Sequence, residues 1–246
     1  MDRLIYTAMT GATAVVNRQA ALSNNLANAS TNGFRAELST YRSVPLKGDG
    51  ASTRVFAVDA TADYLHKPGP GQHTDRDLDA MAVGDGWFGI QALDGTEAYT
   101  RNGHLEVKTD GTLASGDGLT ILSDTGAPII IPEGAAVTLA PDRSVIAKVG
   151  DQPAQTIARI KMVTSNADNP LKRGTDGLFR AGSGDSLPND EQARLQPGVL
   201  EGSNVNSVEA MVGMIQTARQ FETQMRLLQT AESNDRAAGQ LLNLQG

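Results

Sequence analysis

The chain has 246 residues and a formal net charge of −7, so it lacks the basic surface expected of a nucleic-acid-binding protein. Aromatic residues make up only 4% of the sequence, and we therefore expect cores built from Val, Ile, Leu and Ala. Cysteine is absent, which excludes disulfides, thiolate metal sites and a cysteine nucleophile.

The N-terminal segment, residues 1–34, predicts a long helix with few charges. We expect it to run from about residue 3 to Ala29, with Gly33 in the left-handed conformation just past the last turn. Steps of four and three residues are typical of a coiled-coil seam, and further apolar residues off this seam indicate contact with several neighbouring helices. The residues that follow this spacing are Met1, Ile5, Ala8, Ala12, Val15, Gln19, Leu22 and Leu26.

The next two segments change character. Residues 35–80 predict an extended connector, with short strands at 41–46 and 54–58. Residues 81–180 predict a central, mostly antiparallel β-domain, because turn dipeptides recur at short intervals between runs of apolar residues. Asn102-Gly103 in particular predicts a tight hairpin between its flanking strands. The spacing leaves open whether this domain is a small barrel or a sandwich.

The C-terminal part begins with a predicted loop or linker at residues 181–202. Residues 203–246 predict a second long helix that starts near Ser207, with Asn206 as its N-cap and Glu209 as the partner in a capping box. The predicted fold class is therefore α+β: two long terminal helices that form a coiled-coil-like domain and a β-domain between them. The apolar residues repeating at steps of three and four are Val208, Met211, Ile215, Ala218, Phe221, Met225, Leu228 and Ala231.

No catalytic, cofactor or metal site is predicted. The run from Gly84 to Gly89 has the G-x-G-x-x-G spacing, but no helix is expected after it, so a turn that enters a strand is the better interpretation. Asp75, Asp77 and Asp79 imitate the start of a calcium loop, but Ala80 and Gly86 stand where glycine and glutamate are required. The three histidines have no metal-ligand spacing.

The sequence predicts neither a membrane span nor a cleaved signal peptide. There is no run of about 18 apolar residues. Residues 8–16 are too polar for the hydrophobic part of a signal peptide, and no positively charged region precedes them. We therefore expect that any export of the protein leaves the N-terminus intact.

Three separated motifs resemble those of the bacterial flagellar basal-body rod and hook protein family. They are the N-terminal run from Leu22 to Arg35, the C-terminal run from Gly198 to Asn206, and the central Gly86-Trp87-Phe88 with Tyr99-Thr100-Arg101-Asn102-Gly103. They occur in order and cover both ends and the centre. The opening run from Met1 to Met9 and the chain length resemble the proximal rod members more than the distal ones.

This resemblance implies a non-enzymatic subunit of the periplasmic rod, which the flagellar type III apparatus exports and which transmits torque from the motor to the hook. Its partners would be copies of itself and other rod proteins, without nucleic acid, cofactor or membrane insertion. Residues 1–34 and 203–246 would supply the helices of the rod-core domain. The expected assembly surface consists of Ile5, Ala8, Ala12, Val15, Leu22, Asn25, Leu26, Asn28, Gly33, Phe34, Asn204, Val205, Asn206, Val208, Met211, Ile215, Phe221, Met225 and Leu228.

Three alternatives remain open from the sequence. One is a distal rod protein of the same family. The second is a secreted β-domain enzyme, such as a hydrolase, whose helical ends are coincidental. The third is a chaperone or adaptor that uses its termini as clamps.

Overall fold

The computed structural model describes residues 2–45, 55–59, 63–166 and 169–243. The chain divides into two compact units. We call the first, Met1–Ala29, Ala36–Leu65 and Val205–Gly246, the helical unit. The second, Ser30–Arg35 and His66–Asn204, is the β unit. The architecture is α+β, as predicted.

The helical unit contains α1 (Asp2–Ala27) and α2 (Ser207–Asn243). Asn206 caps α2 as predicted, because its Oδ1 accepts hydrogen bonds from the backbone N–H of Val208 and Glu209 at 3.1 and 3.2 Å. A Cβ added at Gly213 would lie 3.2 Å from Leu22, and one added at Gly11 would lie 3.4 Å from Gln224. These two contacts show that α1 and α2 are antiparallel.

Helix α1 ends two residues earlier than the sequence predicts. The amide of Asn28 is shared between the carbonyls of Asn24 and Asn25, and Ala29 bonds to Leu26, so the last turn tightens and stops. Gly33 does have a positive φ of 69°, but it lies beyond these turns and is not the residue that ends the helix. Its contacts lie in the β unit, as described below.

The described part of the helical unit also contains four short strands. Two of them form a hairpin where short strands were predicted in the connector, and a Tyr41 hydroxyl in this hairpin donates to the carbonyl of Ala14 on α1 at 2.7 Å. The other two pair with each other. The strands are β1 (Glu37–Leu38), β2 (Tyr41–Pro45), β3 (Val55–Asp59) and β4 (Asp63–Tyr64).

The β unit holds the remaining strands, and every pairing among them is antiparallel. They are β5 (Gly71–His73), β6 (Ala80–Ala82), β7 (Gly86–Gln91), β8 (Glu97–Thr100), β9 (Leu105–Val107), β10 (Leu113–Ser115), β11 (Thr120–Ile121), β12 (Ala135–Leu139), β13 (Ser144–Val149), β14 (Gln155–Arg159), β15 (Met162–Thr164), β16 (Leu171–Arg173), β17 (Phe179–Ala181), β18 (Leu195–Pro197) and β19 (Val199–Glu201).

The main sheet has the order β16-β17-β8-β7-β11-β10-β9. Strand β7 is its centre: β8 lies along one edge, and β11 and β15 share the other. Alternate side chains along the strands of this sheet fill a single apolar core. Its completely buried members include Phe88, Ile90, Leu105, Leu113 and Ile121. A separate sheet, β12-β13-β14, covers part of that core with Val137, Leu139 and Val145.

Three predictions about the β-domain are wrong. Within the described residues the main sheet is open, since β16 and β9 lie at its two ends and do not pair. The barrel alternative is therefore excluded, and the sandwich alternative stays a prediction. Asn102-Gly103 does not make a hairpin: β8 pairs with β7 and β17, whereas β9 pairs with β10. The reason is that Gly103 packs against the β6 backbone, where an added Cβ would lie 1.6 Å from the carbonyl oxygen of Ala80.

The third error is the loop predicted at residues 181–202. Its last part contains β18 and β19, which pair with β6 and β5. Both strands are short and follow a polar, proline-containing stretch, so the local sequence indicates a turn. Their place is decided by partners more than 110 residues earlier in the chain, because a strand gains its hydrogen bonds only from its neighbour.

Candidate assembly surface and motif junction

Helix α2 presents an apolar ridge to solvent. Val208, Met211 and Ile215 are 68%, 51% and 57% exposed, and Val212 beside them is also exposed. These residues recur at three- and four-residue steps and therefore share one side of the helix. Phe221 and Met225 continue the exposed apolar surface toward the C-terminus, and Leu228 is half-buried. The predicted α2 seam is thus largely the side of the helix left uncovered by its own chain.

A different side of α2 faces the interior of the helical unit. Among the side chains of α2 that the structure describes, Ala210, Thr217 and Ala231 are buried, and they are spaced by multiples of seven. Gly213 lies on the same side against Leu22. The Thr217 hydroxyl donates to the carbonyl of Gly213 at 2.7 Å, so this buried polar group is satisfied within the helix. Small residues here let the two helices approach closely.

The α1 residues of the expected assembly surface whose side chains are described are buried or half-buried in the single chain. Val15 is buried, and Ala8, Ala12, Leu22 and Leu26 are half-buried. The side chain of Ile5 lies outside the described part of the chain. The sequence seam omits Tyr6, Met9 and Val16, which are large apolar side chains exposed on the described part of this helix. Their steps of three and seven residues place them on a common side and were the signal that could have identified them.

An apolar groove runs between α1 and α2. It has a volume of about 440 Å³ and is lined on one side by Val15, Val16, Gln19, Ala20 and Ser23 and on the other by Thr217, Ala218 and Phe221. Most of the surface that these residues expose to the groove is apolar. A groove with such walls suits an apolar side chain from a partner better than a charged ligand.

Asn25 and Asn28, which belong to the expected assembly surface, form hydrogen bonds within the chain. Asn25 forms a reciprocal amide pair with Glu37 on β1: its Nδ2 donates to the Glu37 carbonyl at 2.9 Å, and its Oδ1 accepts the Glu37 N–H at 2.8 Å. Asn28 Nδ2 donates to the carbonyl of Asn24 at 2.9 Å. Asn25 therefore ties α1 to β1, and a contact from these amides to another subunit stays a prediction.

Gly33, Phe34 and Asn204 belong to the β unit, where two segments of its chain meet. The Gly33 N–H donates to the carbonyl of Glu201 at 2.7 Å, and the Asn204 N–H donates to the carbonyl of Phe34 at 3.2 Å. A Cβ at Gly33 would lie 2.4 Å from the backbone of Arg101, so only glycine fits. The Phe34 ring is buried, with the Arg173 guanidinium 4.4 Å from its centroid. Val205 and Asn206 follow as the approach to α2.

A buried charge cluster lies at this meeting point, and sequence reasoning did not find it. Arg35, Arg101 and Glu201 are only 3%, 1% and 1% exposed. Glu201 Oε1 pairs with Arg35 Nη2 at a distance of 2.8 Å. Glu201 Oε2 accepts a hydrogen bond from Arg101 Nε at 2.8 Å and pairs with Arg101 Nη2 at 2.6 Å. The Trp87 ring lies beside both guanidinium groups, with its centroid 5.9 and 5.7 Å from their central carbons.

This cluster joins the three motifs quoted from the sequence. Arg35 ends the N-terminal motif, Arg101 and Trp87 belong to the central one, and Glu201 lies in the C-terminal one. The only signal in the sequence was that each motif contains one charged residue among small or apolar neighbours. Their distance along the chain hides the contact, which only the fold creates.

Two negative findings concern the described part of the chain. No three His, Asp or Glu side chains there come together in a group that could hold a metal ion. None of the described helices combines the length and the apolar character required to cross a bilayer.

Family models match the same three regions. Residues 5–35 match the flagella basal body rod protein model, residues 81–147 the flagellar hook protein FlgE/F/G D1 domain, and residues 196–241 the flagellar basal body rod FlgEFG protein C-terminal model. The chain is also 42% identical to the flagellar basal-body rod protein FlgF of Escherichia coli strain K12, over 99% of this chain and 100% of that protein. It therefore belongs to the flagellar basal-body rod protein family.

Within the family the chain is close to FlgF. FlgF of Salmonella typhimurium is also 42% identical, over 99% of this chain and 100% of that protein. The flagellar basal-body rod protein FlgG of Bacillus subtilis is 29% identical, over 99% of both chains.

Proposed function

We propose that the chain is a structural subunit of the proximal part of the bacterial flagellar rod and polymerises through its terminal helices. The observation that carries this proposal is the ridge of Val208, Met211 and Ile215. In a dilute aqueous monomer these side chains keep apolar surface in water, and contact with another subunit would remove that surface. Family membership supports neighbours that are themselves rod components.

The proposed division of labour separates the terminal helices from the middle of the chain. Residues 1–34 and 203–246 supply a coiled-coil-like rod core, residues 35–80 form an extended connector, and the β-domain at 81–180 is joined to α2 by residues 181–202. Torsional load from motor to hook then passes through many parallel helix contacts, each of them weak. The chain would reach the periplasm by the flagellar type III apparatus without a cleaved signal.

The distal rod protein remains the alternative within the family. The identity of 42% to two FlgF proteins against 29% to a FlgG protein favours the proximal position. The structural rod proteins to which the chain is related are not enzymes, and this counts against the secreted hydrolase. The third alternative, a chaperone or adaptor, requires that the protein be missing from isolated basal bodies.

The test compares two variants, one with a negative charge added on the ridge and one with the same charge added elsewhere on α2. Ile215→Glu should abolish incorporation into basal bodies and motility in a strain that lacks the native protein, because a buried unpaired carboxylate in the interface is costly. Gln220→Glu adds the same charge elsewhere on the exposed surface of α2 and is the matched control. Immunoblots of purified basal bodies and swimming assays give the result.

Circular dichroism of both purified monomers completes the experiment. Both variants should have the same unfolding profile as the parent, since residue 215 is exposed in the single chain. Normal motility and normal incorporation of Ile215→Glu would remove the α2 ridge from the assembly surface. If Gln220→Glu also abolishes incorporation and motility, the effect of the added charge is not specific to the ridge.

A further inference from the structure

His104 lies in the β unit, where the residue before β9 meets the residue before β6. It forms an isolated antiparallel bridge with Asp79. The Asp79 side chain is only 3% exposed, and its Oδ1 lies 2.9 Å from His104 Nδ1. Glu106 Oε1 lies 3.3 Å from His104 Nε2, and the Glu106 side chain is 56% exposed. The ring therefore stands between one buried carboxylate and one that faces solvent.

A single guanidinium approaches both nitrogens of this ring. Arg76 Nη1 lies 2.8 Å from His104 Nδ1 and 3.1 Å from His104 Nε2, and it donates to Asp79 Oδ1 at 3.2 Å. Arg76 Nη2 donates to the carbonyl of Leu105 at 2.8 Å, which keeps the guanidinium beside the ring. The Arg76 side chain is 38% exposed, so water can solvate the guanidinium when its contact with the ring is lost.

The turn that follows β10 is also packed against the ring. A Cβ added at Gly116 would lie 2.4 Å from His104 Cδ2, and the Gly116 N–H donates to the His104 carbonyl at 2.7 Å. Asp117 in the same turn accepts a hydrogen bond from Asn102 Nδ2 at 3.0 Å. This turn therefore contributes close packing and one carboxylate that is already hydrogen-bonded to another side chain.

The protonation state of the ring decides whether the Arg76 contact is attractive. A neutral imidazole carries one N–H and one lone pair, and Arg76 Nη1 is within hydrogen-bond distance of both nitrogens. In either tautomer the guanidinium can therefore donate to the nitrogen that holds the lone pair. Protonation removes that lone pair, makes both nitrogens donors to the two carboxylates, and places two cations in contact.

The charge balance favours uptake of that proton. Asp79 and Glu106 contribute −2 and Arg76 contributes +1, so the three groups sum to −1 while the ring is neutral. A protonated ring brings the sum of the four groups to zero. The repulsion inside the neutralised site is then confined to the ring and the guanidinium, and of these only the guanidinium is on a long, flexible side chain.

We propose that His104 is a pH-operated switch whose protonation releases the Arg76 guanidinium and holds the ring between Asp79 and Glu106. Above the pH at which the ring titrates, Arg76 is docked on His104. Below that pH, the guanidinium turns to solvent, and the bridge to Asp79 persists because Nδ1 then carries a proton. The switch lies entirely within the β unit and does not depend on rod assembly.

NMR spectra of the full-length protein between pH 8 and pH 5 test the switch, because a histidine ring changes its charge in this range. The reporters are the ring of His104 and the guanidinium Nε–H of Arg76. Both should change with a single midpoint. In His104→Gln, which cannot be protonated, the Arg76 signal should stay constant over the same range.

Two substitutions displace the His104 midpoint in opposite directions. Arg76→Met should raise it by about 0.5 pH unit or more, because the protonated ring is no longer repelled. Glu106→Gln should lower it by a similar amount, because the protonated ring loses a carboxylate partner. Glu191→Gln removes the same charge from an exposed loop position before β18 and is the matched control, which should leave the midpoint unchanged.

Three results would overturn the proposal. The first is an Arg76 signal that does not change while His104 titrates. The second is an Arg76 change that persists in His104→Gln. The third is a midpoint that falls in Arg76→Met or rises in Glu106→Gln. Amide spectra report whether each variant is folded, and because the two substitutions act with opposite sign, either of them alone decides the third result.

Discussion

Phe88, Ile90 and Leu105 of the β unit are completely buried, whereas Val208, Met211 and Ile215 of the helical unit keep about half or more of their surface in water. The β unit buries a large apolar core among its own strands, although Leu93 and Ile130 stay exposed. On α2, by contrast, buried positions such as Ala210 and Thr217 are small or polar, and the larger Val208, Met211 and Ile215 are exposed. The β unit thus has the packing of a self-sufficient domain, whereas α2 keeps an exposed apolar side that we propose a neighbouring subunit covers.

The largest expected effect tests the self-sufficiency of the β unit. Trp87 is 4% exposed and contacts Phe179 with ring centroids 4.5 Å apart. Trp87→Ala should lower the free energy of unfolding of the β unit by about 3–5 kcal/mol, from lost burial and the cavity left behind. Urea denaturation followed by circular dichroism in the β-sheet region measures it.

The helical unit supplies the control for that substitution. Val212→Ala removes apolar surface from an exposed site on α2 and should change stability by no more than about 0.5 kcal/mol. A loss of similar size in both variants would contradict the contrast between the two units.

The second effect separates backbone strain from steric fit. Gly33 and Gly95 both have positive φ, at 69° and 80°, but only Gly33 has backbone atoms where a Cβ would stand. Gly95→Ala should cost about 1 kcal/mol from the left-handed conformation alone. Gly33→Ala should cost about 1–3 kcal/mol, because the Arg101 backbone must also move.

Equilibrium unfolding of both alanine variants measures the difference. The interpretation fails if Gly95→Ala is as destabilising as Gly33→Ala, since the motif junction would then add nothing to the intrinsic preference of glycine.

The third effect concerns the start of α2. Asn206→Ala removes the acceptor for the Val208 and Glu209 amides and should destabilise this helix end by about 1 kcal/mol. Exchange of these two amides should accelerate. Asn206→Asp keeps the acceptor and adds a favourable charge at the helix N-terminus, so it should restore protection. Equal protection in all three chains would show that the cap does not limit fraying.

The smallest effect is a pH dependence that arises from three carboxylates of the β unit. The Ser144 hydroxyl lowers the pKa of Asp142, the Arg180 guanidinium lowers the pKa of Asp176, and the Thr164 hydroxyl lowers the pKa of Asp190. Because these folded-state pKa values lie below the usual value of 3.8, the stabilisation is complete above that pH and is lost as the pH falls through the folded values.

Urea midpoints at pH 6, 4 and 3 measure this dependence. The midpoint should hold between pH 6 and about 4 and then fall. Thr164→Val removes the hydroxyl that Asp190 accepts from at 2.6 Å and should flatten the fall slightly. A midpoint that rises between pH 4 and pH 3 would have the wrong sign.

Local patterns were sufficient for the features that depend on neighbours in the sequence. The α2 start follows from Asn206, whose side chain caps the first turn, whereas the capping-box role of the Glu209 side chain stays a prediction. Turns at Asp94-Gly95, Asp110-Gly111 and Asp117-Gly118 follow from the freedom of glycine to adopt positive φ, and their glycines do so at 80–81°. The spacing of Val208, Met211 and Ile215 was enough to put them on one side of a helix.

Only the tertiary structure decided what those elements contact. The same dipeptide rule was wrong at Asn102-Gly103, because Gly103 fills a space against β6 that lies outside any local window. The Arg35–Glu201–Arg101 cluster and the pairing of β19 with β5 join residues separated by 100 or more positions, and such contacts leave no periodic trace in the sequence. Burial and long-range hydrogen bonding are properties of the folded chain, whereas helix caps and turns are properties of a few successive residues.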